Sequence, residues 1–542
     1  MHTAHRPPRS GPLAGLLLAL LLLALPLRAP AQQAAPREVG PAAPSGVFYE
    51  IFVRAFHDSN GDGIGDLRGI TEKLPYLKRL GVSGIWLMPI AASPSYHGYD
   101  VTDYRAINPQ YGTLADFHAL VRAAHAEGMR VIVDLVANHS SNENPWFIAA
   151  QNPASPYHDW YIWARPGTNL DEVSPWGGRI WHRLHTRWGT QYYMGIFDPH
   201  MPDLNYDNPA VRAAMIAIGR YWLQQGADGF RLDAAKHIYD KLDRDDHDPA
   251  VIARSVAWWQ QFRDGIATTN AQAYLVGEVS GNHTRYLAPF VKPLDAVFDF
   301  PLARVLLRSL QSGQDEDIGG ELVNIQQQYR AAAGHYVMDA PFLSNHDQPR
   351  IMSVLHGNVA QMKLAAALLL TLPGNPYLYY GEEIGMRGSK PDPRIRQPMR
   401  WQRSTRAVGE STWEPVAADN RSVSVQTEQD DPHSLLNRYR ELIGWRMHIA
   451  PLRDGIAGEY ASGIPALAAW RLRDAHGSVL VAHNLSAQEQ TLPLRAVEHL
   501  QYTTLLRHTR GGTRITAAGL ILPAYGSAVL LGTPVNTGVS KP

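Results

Sequence analysis

Four short strings in this 542-residue chain set carboxylates beside Arg and His. They are Asp134-Leu-Val-Ala-Asn138-His139, Gly229-Phe-Arg231-Leu-Asp233-Ala-Ala-Lys236-His237, Gly277-Glu278-Val279 and Phe342-Leu-Ser-Asn345-His346-Asp347. A carboxylate next to a cation is held ionised and can act as a nucleophile or base, whereas a partly buried one keeps its proton and can act as an acid. Arg231 lies two residues before Asp233, on the same side of a strand, and is expected to keep Asp233 ionised at neutral pH. Glu278 is expected to be raised by partial burial beside other carboxylates. Taken singly, each string reads equally well as a helix cap, a turn or a structural ion pair. His139 and His346, alone, read as satisfied core histidines.

A fifth string has metal-ligand spacing. In Asp58-Ser-Asn60-Gly-Asp62-Gly63-Ile64-Gly-Asp66, oxygen donors alternate, Ile64 supplies a carbonyl slot and Gly63 sits at the sharp turn. That matches the first nine positions of a calcium loop. It departs from the helix–loop–helix form, because the twelfth position is Gly69 rather than Glu. A polar solvated turn is the alternative.

Elements that could hold these strings follow from the apolar pattern. Strand-like runs fall at 47–56, 84–90, 130–136, 229–234, 274–279, 296–300, 341–345 and 377–381. Helical periodicity separates them, as at 114–127, 211–225, 251–265 and 362–370. Eight strand–helix units over roughly 400 residues predict an α/β fold, a (β/α)8 barrel. No Gly-rich phosphate fingerprint follows a strand, which argues against a doubly wound sheet. In such a barrel the four strings fall at the ends of four strands, on the face where active sites form. The expected organisation is a barrel over 46–139 and 208–450, an aromatic-rich inserted domain over 140–207, and a C-terminal β-sandwich over 451–533.

Composition narrows the partners. Lys+Arg and Asp+Glu are both 50, so no net field points to nucleic acid or to an anionic membrane. There is no Cys, which excludes disulfides, thiolate metal sites and thiol catalysis. Residues 1–31 combine early His and Arg, an apolar run from Leu13 to Leu27 and a small-residue site at Ala29-Pro30-Ala31. That layout is a cleaved export signal and predicts a periplasmic or secreted protein with no membrane attachment after cleavage. A monomer is the expected state. The acidic run 243–248 reads as a solvated loop.

The strings together resemble the short regions by which the α-amylase family is known, and the likeness spans essentially everything after the export segment. The resemblance implies Asp233 as nucleophile, Glu278 as general acid/base and Asp347 as a third carboxylate gripping the −1 sugar. It implies that Arg231, His139 and His346 hold the nucleophile or the sugar hydroxyls, that His97 and Tyr99 bind and stack the −1 ring, and that Asp134 braces the site. It further implies calcium at the Asp58–Asp66 loop, and a second calcium at Asn138, Asp203 and the His237 carbonyl. The pair Lys236-His237 is similar to α-amylases, where it contacts the aglycone side. Met201-Pro-Asp-Leu-Asn205 instead resembles members between oligo-1,6-glucosidases and neopullulanases, and Arg396-Gln-Pro-Met-Arg-Trp401 resembles glucosidases.

What the resemblance implies is retaining hydrolysis of α-1,4 bonds in starch-type glucans and maltooligosaccharides. Retention needs two carboxyl groups roughly 5–5.5 Å apart, one to attack and one to donate. An α-glucosidase, or a glucanotransferase or trehalose synthase, would use the same carboxylates. A sugar-binding barrel without catalysis is disfavoured by the presence of all three carboxylates and Arg231.

Overall fold

The structure, a computed structural model, describes residues 45–239 and 248–535. The export segment, positions 243–247 of the acidic run and the tail beyond 535 lie outside the described residues.

Seven parallel strands form one curled sheet: β1 Phe48–Ile51, β2 Gly84–Leu87, β3 Arg130–Val136, β4 Gly229–Asp233, β5 Tyr274–Gly277, β6 Ala296–Val297 and β7 Tyr377–Tyr379. Their order is β6-β5-β4-β3-β2-β1-β7. Parallel bridges Phe298↔Ala340 and Phe342↔Tyr377 join the two edges through residues 340–342, which act as the remaining stave. The architecture is the expected (β/α)8 barrel. β1, β2, β4 and β5 are buried along their whole length, as strands covered on both faces must be.

Side chains alternate across a strand, so every second residue faces the barrel interior. Phe48, Trp86, Ile132, Tyr274, Val276, Phe298, Phe342 and Tyr377 form one apolar cluster there. Two residues beyond Phe48, Ile132 and Val276, on the same face, stand Glu50, Asp134 and Glu278. The interior thus changes from apolar to charged at the C-terminal ends of the strands. Helices α1 Pro209–Gln224 and α2 Pro249–Ala267 start with Pro after a capping Asn208 and Asp248, each accepting from the backbone N–H two residues on.

Several expected strands are shorter than the apolar runs suggested. β1 stops at Ile51, and Val53–Phe56 is a helical turn. Phe300, expected as a strand end, opens a helix capped by Asp299, whose side chain accepts from Leu302 N. Within 341–345 Phe342 alone makes a ladder bridge, and Ala340 just before the run makes another. An apolar run reports burial, and buried helical turns and bends satisfy it as well as a strand does.

The 140–207 segment carries a hairpin of Trp181–Thr186 with Gly189–Met194 and its own small cluster of Ile180, Trp181, Met194 and Ile196. It is pinned back onto the end of β3 by Leu204 N donating to Asn138 O at 3.0 Å and Ser140 N to Pro202 O at 3.2 Å. The C-terminal region is all antiparallel β, a five-stranded sheet with a three-stranded one beside it. Leu492, Leu520 and Leu522 of the small sheet pack with Leu480 and Leu530 of the large one. The other face of the large sheet, with Trp470, Leu472, Val481 and Val529, joins the main core. It is therefore built against the barrel rather than standing apart from it.

Candidate active site

Register brings the charged residues together. Asp134 on β3 pairs directly with Arg231 on β4, and Val136 with Asp233. The Arg231 guanidinium is 1% exposed and serves three carboxylates. Its Nη1 donates to both Asp134 oxygens, at 2.9 and 3.0 Å, and to Asp233 Oδ1 at 2.6 Å. Its Nη2 donates to Glu278 Oε2 at 2.8 Å. The guanidinium also lies over the Trp86 ring, 5.0 Å from its centroid. Trp86 Nε1 donates to Asp134 Oδ2 at 3.2 Å.

Glu278 is fixed from β4 as well. Ala234 adopts a left-handed conformation with φ 45°, which is costly for a residue with a Cβ. That turn directs Ala234 N to Glu278 Oε2 at 3.0 Å, while Ala235 N donates to Glu278 O at 2.9 Å.

A second charged set forms across the cavity. Asp347 Oδ1 accepts from Arg396 Nη2 at 2.8 Å, and its Oδ2 is 3.2 Å from His346 Nε2. The buried His346 ring reaches Glu50 Oε1 through Nδ1 at 2.5 Å and Tyr99 Oη through Nε2 at 2.6 Å. His97 and Tyr99 stack at 6.1 Å, and Tyr99 stacks on His346 at 5.6 Å.

Electrostatics separate the two carboxylate sets. Burial is the largest influence on Asp347 and pushes it up, but His346 and Arg396 outweigh it and bring it down to about 2. Burial disfavours a charged His346, yet Asp347 and Glu50 prevail and raise it. The Arg231 group behaves differently. Burial lifts Asp134 to about 6 against the pull of Arg231. Burial also lifts Asp233 well above the usual carboxylate range, with Glu278 and Asp134 adding to it. Arg231 pulls Asp233 down, as the spacing suggested, but burial outweighs that pull. One positive charge is divided among three carboxylates, so its pull on each is weakened.

His97, Tyr99, His139, Asp233, Glu278 and Asp347 line a single cavity of about 250 Å³. Arg231 and His346 stand behind its wall. Lys236 and His237 do not line it. They face a neighbouring cavity of about 380 Å³. Between the two cavities, Phe197 stacks on Trp176 at 4.8 Å and meets His237 edge-on at 5.7 Å. Sequence reasoning missed Arg396 and Asp392, which line the first cavity, and Glu50, which anchors His346. A carboxylate inside the apolar run 47–56 was the available signal for Glu50. Arg396 was noticed only as part of a family-like string.

The Asp58–Asp66 loop lines neither cavity. Asp58 Oδ1 accepts from Gly61 N, Asn60 Oδ1 from Asp62 N and Asp62 Oδ1 from Ile64 N, at 2.7–2.9 Å. These side-chain-to-backbone turns give the loop its shape. Asp66 instead turns to Ser59 N and caps the following helix at Gly69 N. Of the second expected set, Asn138 Nδ2 donates to Asp203 Oδ1 at 3.0 Å, both residues being fully buried. Among the described residues, no three or more His, Cys, Asp or Glu gather as a metal cluster.

Comparison with known proteins bears on this arrangement. Residues 50–455 match the alpha amylase catalytic domain, and residues 467–529 match the alpha-amylase SusG C-terminal domain. The chain is 39% identical to alpha-amylase 3 of Dictyoglomus thermophilum, over 82% of this chain and 85% of that protein. It is 34% identical to a 4-alpha-glucanotransferase of Thermotoga maritima, over 81% and 96% respectively. The crystal structure of alpha-amylase from H. orenii superposes with a TM-score of 0.82 at 42% identity, covering 90% of this chain and all of that one. Arg231 with its three carboxylates inside a (β/α)8 barrel, the family match over most of the chain and these likenesses lead to one conclusion: the protein belongs to the α-amylase family of glycoside hydrolases.

Proposed function

We propose that the protein hydrolyses α-1,4-glucosidic bonds in starch-type glucans and maltooligosaccharides with retention at the anomeric carbon. The observation that carries this is the single guanidinium holding Asp233 and Glu278 side by side at one cavity wall, with Asp347 on the other. Asp233 attacks the anomeric carbon while Glu278 gives its proton to the departing glycosidic oxygen. The bond to the aglycone breaks and a glycosyl-aspartate forms. Glu278, now a base, takes a proton from water, which releases the sugar and restores both carboxyls. Asp347, kept charged by His346 and Arg396, faces the oxocarbenium-like transition state, where fixed negative charge is most favourable. Tyr99 offers its ring to the −1 pyranose, and His97 and His139 reach its hydroxyls.

Proton NMR of the first product from maltoheptaose tests the mechanism: α-anomer is expected, and β-anomer overturns it. Chromatography of early products separates internal cleavage, the expected mode, from stepwise glucose release. Transfer to a sugar acceptor is a second reading. The exposed Trp176–Phe197 pair beyond the scissile bond, and the 34% identity to a 4-alpha-glucanotransferase, favour it.

The proposal extends to calcium. The hard oxygens of Asp58, Asn60 and Asp62 and the Ile64 carbonyl suit that ion, which would tie the loop in place without taking part in the chemistry. Asp66 belongs to the proposed set through its neighbouring position. Asn138, Asp203 and the His237 carbonyl form the second proposed site. Metal analysis after dialysis reads zero, one or two ions per chain. Export to the periplasm or medium, through removal of residues 1–31, is checked by mass spectrometry of the mature N-terminus. The native mass tests the monomer.

A further inference from the structure

The His346 ring is buried, yet both of its nitrogens meet oxygen. On one side stands Glu50, the third residue of β1 and 1% exposed. Its Oε1 lies 2.5 Å from His346 Nδ1 and also accepts from the His346 backbone N–H at 3.4 Å. On the other side, Nε2 lies 2.6 Å from Tyr99 Oη and 3.2 Å from Asp347 Oδ2. The Trp86 ring meets the imidazole edge-on at 5.6 Å. The remaining charged groups nearby are Arg396, which bonds to Asp347 and to the His346 carbonyl, and Asp134, reached through Tyr99. Glu50 does not line the active-site cavity, so whatever it contributes passes through His346.

Hydrogen-bond direction locates the protons. Tyr99 Oη has one proton to give, and it donates to Asp134 Oδ2 at 3.3 Å. Arg231 Nη1, which can only donate, also faces Tyr99 Oη at 3.4 Å. Toward His346 the phenol oxygen is therefore an acceptor, and Nε2 carries a proton. Its closeness to the Asp347 carboxylate asks for the same. Nδ1 faces a carboxylate oxygen that already accepts the His346 backbone N–H, so Nδ1 donates as well. An imidazole that donates from both nitrogens is the cation. Burial, the largest influence, opposes that charge, and Arg396 works the same way, but Asp347 and Glu50 outweigh them and raise His346.

We infer that Glu50 is a positioning residue for the reaction: its buried carboxylate keeps His346 doubly protonated, and that fixed cation holds Asp347 ionised and aimed into the cavity. A carboxamide of the same shape can accept the Nδ1 proton but brings no charge to balance the ring. Without the Glu50 charge, Asp347 is the only carboxylate bonded to the imidazolium, and burial gains on it. As pH rises, the ring then gives up its proton earlier, and Asp347 loses one of the two cations bonded to it, His346 and Arg396. That Asp347 serves the transition state rests on the retaining-hydrolase reading. The charge on His346 does not.

NMR of the purified enzyme carrying isotope-labelled histidine reads the ring directly, the His346 resonance being the one that His346→Gln lacks. Its titration midpoint is expected above the ordinary histidine value of about 6.5. Glu50→Gln should lower the midpoint by about one pH unit or more, and Glu50→Asp, which keeps the charge, by less than about half a unit. Kinetics on maltoheptaose give a second readout. The ratio of wild-type to Glu50→Gln kcat/KM should grow at least about fivefold from about pH 5 to about pH 8, because the variant's His346 is neutral sooner. The loss should fall on kcat more than on KM, since Asp347 acts most strongly on the transition state. A wild-type midpoint below about 6.5 overturns the inference without any variant. So does a midpoint that Glu50→Gln leaves in place, or a kcat/KM ratio flat with pH, which marks a purely structural role. A midpoint that shifts as expected in a protein that does not hydrolyse glucans keeps the charge assignment and defeats the hydrolase reading instead.

Discussion

Two cavities meet near Glu278, and their charge is opposite. The smaller, lined by Asp233, Glu278, Asp347 and Asp392, has one lining arginine, Arg396. The larger has lysine, arginines and no lining carboxylate among the described residues. In the first, Asp233, Glu278 and Asp347 are each bonded to an arginine at short range, which fixes their positions. In the second, Arg285 and Arg304 are bonded to neutral partners. A bond-breaking site needs its own groups locked before substrate arrives, because reorganisation during reaction is costly.

The largest test of this contrast is Asp233→Asn. It should lower kcat on starch by on the order of 10⁴-fold or more with the circular dichroism spectrum unchanged. Near-normal turnover would remove the smaller cavity from the chemistry. Glu278→Gln should cost about 10²–10⁴-fold on glucans and far less on a dinitrophenyl glycoside, whose leaving group needs no proton. Equal losses on both substrates would rule out proton donation.

The shared guanidinium predicts a pH effect. Asp233 must be ionised to attack, and burial sets it above the ordinary carboxylate range. Activity should therefore fall as pH drops through a limb lying above about 4. Arg231→Gln removes a cation bonded to Asp134, Asp233 and Glu278 alike, so the limb of kcat/KM should move up by about one pH unit or more. A limb that stays in place would mean that Arg231 only shapes the wall.

Smaller effects belong to the larger cavity and to the loop. Lys236→Ala should weaken cleavage of long maltooligosaccharides by about five- to tenfold while maltotriose changes little, since remote binding energy is what it supplies. Uniform loss across chain lengths would place Lys236 in the chemistry itself. Chelation should lower Tm by several degrees if the Asp58–Asp66 loop holds calcium, through loss of a ligand bound only to the folded state, at roughly 2–4 °C per kcal/mol. Asp62→Ala should abolish that sensitivity. An Asp62→Ala protein that responds to chelator like the wild type would make the loop a plain turn.

Much of this was legible in the chain. The alternation of strand-like and helical runs gave the barrel, because burial on two faces leaves a readable apolar pattern. β3 was placed to the residue, Arg130–Val136, and the helix at 114–127 to within one. Arg231 and Asp233 were read as neighbours from spacing alone, since strand periodicity is local.

What the sequence could not hold were quantities that depend on several strands at once. Register of β4 with β3 and with β5, not spacing, made Arg231 serve Asp134 and Glu278 as well as Asp233. Burial there outweighs the pull of a guanidinium shared among three carboxylates and lifts Asp233, a balance that no local spacing shows. Likewise Arg396, 49 positions from Asp347, and Glu50, 296 from His346, reach the site only after the barrel closes. Local pattern fixes which residues face inward, but pairing, burial and the balance of charge are set where distant segments meet.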